Sequence, residues 1–293
     1  MNLHRMTWLL VFSLALAIGV GAAAAAEVEV EHDVEYSNPG DAHLKLDLSR
    51  PKEIEGLAPA VVCIHGGGWT AGNRAGWNGL CRQLAERGYI AVTITYRFAP
   101  QHPFPAAVND AKAAVRWLRA NAERLKIDPD RIGAMGDSAG GHLSQFLAVT
   151  GDVRSFDRDG DNLDQSSRIQ CEVNYYGPND MTRMYGMQSG VDKVVSQFVG
   201  GNLAQARHAH IMASPISWVT PEAAPTLIIH GTKDDVVPFD QAIWMRERLH
   251  AADVPVELLT IEGAGHGFGG NDALRANEAT LAFFDKYLKS EKK

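Results

Sequence analysis

The alternation of polar and apolar positions changes period along this chain. Residues 27–36 alternate valine with mostly acidic residues, and 43–48 alternate again through His43, Leu44, Lys45, Leu46, Asp47 and Leu48. A period of two puts every second side chain on one face, so the chain is predicted to open with two half-exposed antiparallel strands. The next strand-like segments, 60–64, 90–94, 131–135, 172–176, 226–229 and 256–261, are mostly apolar runs, the pattern of strands covered on both faces. Helix-like stretches separate them at about 77–87, 106–121, 142–149, 239–251 and 271–288. This alternation predicts an α/β fold with a mostly parallel central sheet, right-handed crossovers and helices on both faces.

Two stretches fall outside the rhythm. Residues 151–168 are polar and rich in aspartate, and 177–221 insert about forty residues, of which 191–199 have the best helical spacing. Insertions that follow strand C-termini stand over the ligand crevice of such a sheet. The second is therefore a predicted partial lid or substrate wall. Residues 1–26 read as a secretory signal: His4 and Arg5, an apolar run from Trp8 to Val20, Gly21, and five alanines ending at Ala26. Small residues at Ala24 and Ala26 suit cleavage before Glu27. An uncleaved run would be just long enough to span a bilayer. The expectation is a secreted or periplasmic catalytic domain of residues 27–293 with no membrane attachment after cleavage. Few residues then precede the first strand, so no separate N-terminal cap is expected and the site should be relatively open.

The chain has 293 residues, 45% hydrophobic and 22% charged, which fits one large α/β domain with an ample core. Its formal net charge is −7, and loss of the signal removes one arginine and no acid. So acidic a chain has no electrostatic reason to bind nucleic acid or anionic lipid. Cys63 and Cys171 lie in apolar runs and read as inert core thiols, whereas Cys81 would be free to pair with one of them in an oxidising compartment. An odd cysteine count without clustered Cys/His spacing argues against a disulfide framework and a zinc site. Asp157, Asp159, Asp161 and Asp164 are dense enough to suggest calcium, but Asn162 stands sixth from Asp157 and the late acidic ligand of an EF-hand loop is missing. A solvated loop is expected there, and no metal or cofactor is predicted.

Gly136-Asp137-Ser138-Ala139-Gly140 lies between an apolar strand-like run and a helix-like run. A serine at the tip of a sharp strand-to-helix turn needs near-absent side chains two positions away on either side. The turn exposes the hydroxyl in front of a helix N-terminus, whose orphan N–H groups favour a developing oxyanion. Such a serine needs an imidazole to take its proton and a carboxylate to orient that imidazole. Asp234 follows the run 226–229 and His266 follows the run 256–261 between glycines, so three strand ends converge. Spacing alone leaves Asp235 open as a rival to Asp234. Of the other histidines, His142 is expected to pack beside the turn and His230 to serve as a structural hydrogen-bonding residue. His65-Gly66-Gly67-Gly68-Trp69 follows the run 60–64 and supplies backbone donors. The amides of Gly67, Gly68 and Ala139 are the expected oxyanion hole. Trp69 is a candidate wall of an aromatic or sugar subsite, with packing as the alternative. Tyr96, Arg97 and Asp110 are expected to brace the core beneath the site.

With these motifs the chain resembles the α/β-hydrolases that carry a His-Gly-Gly-Gly loop, the hormone-sensitive-lipase-like esterases. The likeness runs from about Ala60 to Phe268, through His65 to Trp69, Tyr96 to Pro100, Phe104 to Asp110, Gly136 to Gly141, His230 to Pro238 and Gly263 to Phe268. Within that group, the short N-terminus, Gly72 and the run Asn162 to Ser167 look most like secreted bifunctional feruloyl and acetyl xylan esterases. The resemblance implies a Ser138, Asp234, His266 triad and a substrate that is a small ester or a polysaccharide-linked ester. An amidase, formamidase or peptidase on the same scaffold is the alternative enzyme, and a non-catalytic ligand-binding relative is the alternative outside enzymes.

Overall fold

The structure is a computed structural model that describes residues 26–151, 153–186 and 190–289. The predicted signal, save Ala26, lies outside them. In chain order the elements are β1 (Val28–Ser37), β2 (Leu44–Pro51), β3 (Ala58–Ile64), α1 (Asn78–Glu86), β4 (Ile90–Ile94), α2 (Ala106–Ala120), α3 (Ala122–Leu125), β5 (Ile127–Asp137) and α4 (Ala139–Val149). There follow β6 (Cys171–Tyr175), α5 (Met181–Met184), α6 (Val191–Val199), α7 (Arg207–Met212), β7 (Thr226–Gly231), α8 (Asp240–Ala251), β8 (Val256–Ile261) and α9 (Gly270–Phe284). The strands form one eight-stranded sheet in the order β1-β2-β4-β3-β5-β6-β7-β8. The β1–β2 and β2–β4 pairings are antiparallel, and from β4 to β8 every pairing is parallel.

The strand residues divide between two cores with the strand period. On β3, Ala60, Val62 and Ile64 pack with α2, α4 and α8, while Val61 and Cys63 pack with α1 and α9 on the opposite face. Helices therefore cover both faces, as the α/β-hydrolase expectation required.

Three expectations change. β2 is almost wholly buried rather than half-exposed, because β1 and β4 flank it and even its alternate polar residues Asp47 and Ser49 are enclosed. β8 is only partly buried because it is the sheet edge, although its sequence reads as a covered strand. The Asp-rich loop is not merely solvated: Asp157 accepts hydrogen bonds from buried Lys112 and Arg116 at 2.8 and 2.7 Å, and Asp159 accepts one from Arg97 at 2.7 Å. Lys112 and Arg116 on α2, together with Arg97, occupy these carboxylates, so the loop is a docked strap over α2. Arg97 also forks onto buried Asp110, and Tyr96 donates from its hydroxyl to the His65 carbonyl at 3.0 Å, the bracing expected of them. The three cysteines are buried free thiols, and the contact with Cys81 together with burial pushes the Cys63 thiol well up. No described helix is long and apolar enough to cross a membrane.

Candidate active site

β5 runs into α4 through a single residue, Ser138, with φ 51° and ψ −118°. α4 starts at Ala139, three residues earlier than the apolar pattern indicates, because Ala139, Gly140 and Gly141 carry no periodic signal. The turn closes only with glycine on both sides: a Cβ on Gly136 would collide with the Gly140 carbonyl, and one on Gly140 with the carbonyl of Ile64 on the adjacent strand. The Ser138 amide donates to the Tyr175 carbonyl at 2.9 Å, which pins the turn to β6.

Ser138 Oγ lies 3.0 Å from His266 Nε2, and His266 Nδ1 lies 2.8 Å from Asp234 Oδ2. The acceptor on Nδ1 assigns that nitrogen the proton and leaves Nε2 to accept from the serine hydroxyl. Asp234 is held on every side. Its Oδ1 accepts from the amides of Val236 and Val237 at 2.9 and 2.8 Å, and its Oδ2 also lies 3.3 Å from His230 Nε2. Burial opposes its ionisation, but the hydrogen bonds from His230, His266 and the two amides outweigh burial and hold the carboxyl well below the usual range. Asp235 is exposed, whereas Asp234 is the acid in contact with His266.

The oxyanion loop enters the same cavity. Gly67 has φ 119°, a conformation closed to other residues, and with Gly68, Ser138, Ala139 and His266 it lines a space of about 520 Å3. Ala139, as the first residue of α4, has no carbonyl one turn back to accept its N–H. The three expected oxyanion residues are thus brought to the serine. Trp69, the remaining candidate, reaches the cavity wall but is 3% exposed, stacked on Phe198 at 4.3 Å. Its Nε1–H donates to His142 Nδ1 at 3.1 Å, and His142 Nε2–H donates to the Ala213 carbonyl at 2.9 Å. Burial pushes the His142 imidazole down to about 3, so a neutral ring ties the oxyanion loop to the inserted segment. Trp69 is first a packing residue.

Residues of the 177–221 insertion line the cavity. Met184 on α5 and Val191, Val194 and Val195 on α6 face the serine across the cavity, with Val236 and Val237 beside the acid. Sequence reading missed Tyr176 as a site residue. It follows β6 with φ 40°, borders the cavity, and sets its ring edge-on to His266 at a centroid distance of 4.7 Å. Asp137, beside the nucleophile, was also passed over. Burial raises its pKa, against hydrogen bonds from the Gly66 amide and the Trp77 indole, both 2.9 Å from Oδ1. Position at the C-terminal end of a central strand was the one signal available for either.

A hydrogen-bonded Ser–His–Asp chain thus lies at the C-terminal ends of β5, β7 and β8 of an α/β-hydrolase fold. The chain belongs to the BD-FAE family, whose profile matches residues 46–249 and so spans Ser138 and Asp234. It is 35% identical to Esterase LipC of Mycobacterium tuberculosis over 81% of this chain and 60% of the relative. The chain spans about 60% of the length of the curated relatives it matches. Among solved structures it is similar to a truncated carbohydrate esterase from gut microbiota, with TM-score 0.81 and 27% identity over 92% of this chain and 99% of the other. It is also similar to the propionate-bound esterase Est2 of Thermogutta terrifontis, with TM-score 0.73 and 28% identity over 92% and 97%.

Proposed function

We propose that this protein is a secreted serine esterase that hydrolyses short-chain carboxylic esters, with acetyl or feruloyl groups on plant polysaccharide as natural substrates. The observation that carries the reading is the unbroken hydrogen-bonded chain from Asp234 through His266 to Ser138, opening on a cavity shared with Gly67, Gly68 and Ala139. His266 takes the hydroxyl proton as Ser138 Oγ bonds the acyl carbon, and the carbonyl oxygen becomes an oxyanion beside the three amides. The bond to the alcohol oxygen then breaks as His266 returns the proton to it. A water molecule, deprotonated by His266, attacks the acyl-enzyme, and the acid leaves with Ser138 restored. Membership of the BD-FAE family, an esterase among the curated relatives and a carbohydrate esterase among the structural neighbours support this choice of substrate. The leader-like residues 1–26 support secretion.

The test is the purified protein against acetyl, butyryl, octanoyl and feruloyl esters and the matching amides. Ser138→Ala should lower ester turnover by several powers of ten with the melting temperature unchanged, and an organophosphonate should label Ser138 alone. Near-wild-type turnover in Ser138→Ala defeats the mechanism, and preference for the amides replaces esterase with amidase.

A further inference from the structure

The cavity at Ser138 continues past its own rim. Asp137 and Tyr176 border it and also a second hollow of about 360 Å3 that includes Asn73, Gly76 and Trp77. A third hollow of about 370 Å3 carries on from Gly76, Trp77 and Tyr176 to Phe268 and Leu274. Sharing these residues, they make a groove continuous with the cavity, and no residue of the inserted wall lines it.

The two sides differ in chemistry. The cavity is walled by valines and Met184, whereas the groove offers the rings of Trp77, Tyr176 and Phe268 beside the Asp137 carboxylate and the Asn73 amide. These rings are fixed in place. Trp77 donates its indole N–H to the Ile64 carbonyl at 3.2 Å and to Asp137 at 2.9 Å, and Phe268 packs edge-on to Tyr176 at 5.1 Å. Leu274, at the far end, is 60% exposed. A platform already rigid loses little side-chain freedom when a ligand lands on it.

An ester brings two arms to the serine. The alcohol oxygen leaves with the proton carried by His266, and Tyr176 is the ring set edge-on against His266. We infer that the groove over Tyr176, Trp77 and Phe268 is the alcohol-side subsite and that it takes pyranose rings of a polysaccharide chain. The C–H faces of the sugar pack on the aromatic faces, and its hydroxyls hydrogen-bond Asp137 and Asn73. The acyl arm, which needs no hydrogen bonds, fills the apolar cavity. This assignment rests on ester hydrolysis at Ser138 for its meaning, but the groove is tested without it.

Gly76 borders both hollows of the groove, and a Cβ built on it meets nothing within 4 Å. Gly76→Trp therefore fills the groove while sparing the core. Xylohexaose is titrated calorimetrically into the wild-type protein, Gly76→Trp and Trp77→Ala, and kcat/KM for acetylated xylohexaose is divided by that for 4-nitrophenyl acetate in each. Wild type should bind the unesterified chain, and both variants should weaken that binding and lower the ratio by about tenfold or more, the loss common when a central aromatic contact is removed. Binding and ratio left intact by Gly76→Trp overturn the subsite, as does a wild type that does not bind xylohexaose. Hydrolysis of 4-nitrophenyl acetate in that last case leaves the esterase standing. Binding that Gly76→Trp abolishes, in a protein that hydrolyses neither ester, keeps the subsite and sinks the esterase reading.

Discussion

His230 Nε2 sits 3.3 Å from Asp234 Oδ2, the oxygen that His266 Nδ1 also contacts at 2.8 Å. His230 is fully buried at the end of β7, where its Nε2–H also reaches the Val237 carbonyl at 2.9 Å. One donor thus fixes both the carboxylate and the turn whose amides hold its other oxygen. A lost hydrogen bond to a charged group is worth about 1.5 to 3 kcal/mol. His230→Phe, close in shape, should therefore lower kcat by roughly ten- to a hundredfold with little change in KM, read from steady-state kinetics on 4-nitrophenyl acetate. An unchanged kcat would show that His230 supports only the strand end.

The two adjacent acids make a sharper comparison. Asp234→Asn should cost several powers of ten in kcat, because an amide in that place no longer stabilises the imidazolium or enforces its tautomer. Asp235→Asn changes an exposed side chain and should stay within about twofold. Reversal of this ranking in purified variants of equal melting temperature would remove Asp234 from the triad while leaving the reaction class intact.

How much of this was legible in the sequence follows from the range over which each residue is placed. Ser138 and His266 stand out in the sequence because a glycine-flanked turn after an apolar run is a local pattern. Spacing alone left Asp235 open beside Asp234, since both follow the same strand; the family resemblance favoured Asp234, and it is the folded turn that aims the amides of Val236 and Val237 at its carboxylate. Tyr176 was signalled only by its place at the end of a central strand, and the α6 valines only by belonging to the insertion, whereas Trp77 reaches the site by tertiary packing with nothing in its neighbours to announce it. The same holds for the Asp-rich loop, whose partners Lys112 and Arg116 lie 45 and 41 residues before Asp157. Burial of β2 depends on strand order, which periodicity does not encode.

Glu172, the second residue of β6, yields a prediction about stability. Burial pushes its carboxyl up to about 8, against hydrogen bonds from Ser144 and Thr226. The unfolded chain holds its proton only up to about 4.5. Unfolding between these values releases a proton, so the contribution of Glu172 is fully present below pH 4.5 and is lost as pH rises towards 8. At about 1.4 kcal/mol for each pH unit, the loss amounts to a few kcal/mol. Glu172→Gln removes the titration, and its melting temperature should fall less than that of the wild type between about pH 5 and about pH 8.5. Parallel melting curves across that range would show that Glu172 is not the group responsible.

The acyl side of the cavity fixes the last expectation. α6 leans on the oxyanion loop: a Cβ on Gly68 would come within 2.8 Å of Val194 Cγ1. Val194 thus stands close to where the acyl chain begins, with Val191, Val195 and Met184 continuing the wall. A short acyl group gains from these apolar contacts at about 0.8 kcal/mol for each methylene taken out of water, about fourfold in affinity. A chain that has run out of wall gains nothing further, so kcat/KM should be highest for acetyl to butyryl esters and fall beyond roughly eight carbons, where added methylenes return to solvent. Val194→Ala opens the wall at its nearest point. It should shift the optimum towards longer chains, raising the octanoyl-to-acetyl ratio of kcat/KM by about fourfold or more. The measurement is a series of 4-nitrophenyl esters from two to twelve carbons on both proteins, together with a long-chain triglyceride emulsion. An unshifted series in Val194→Ala would place the acyl arm elsewhere, and a wild-type preference for the emulsion over soluble short esters would make the protein a lipase.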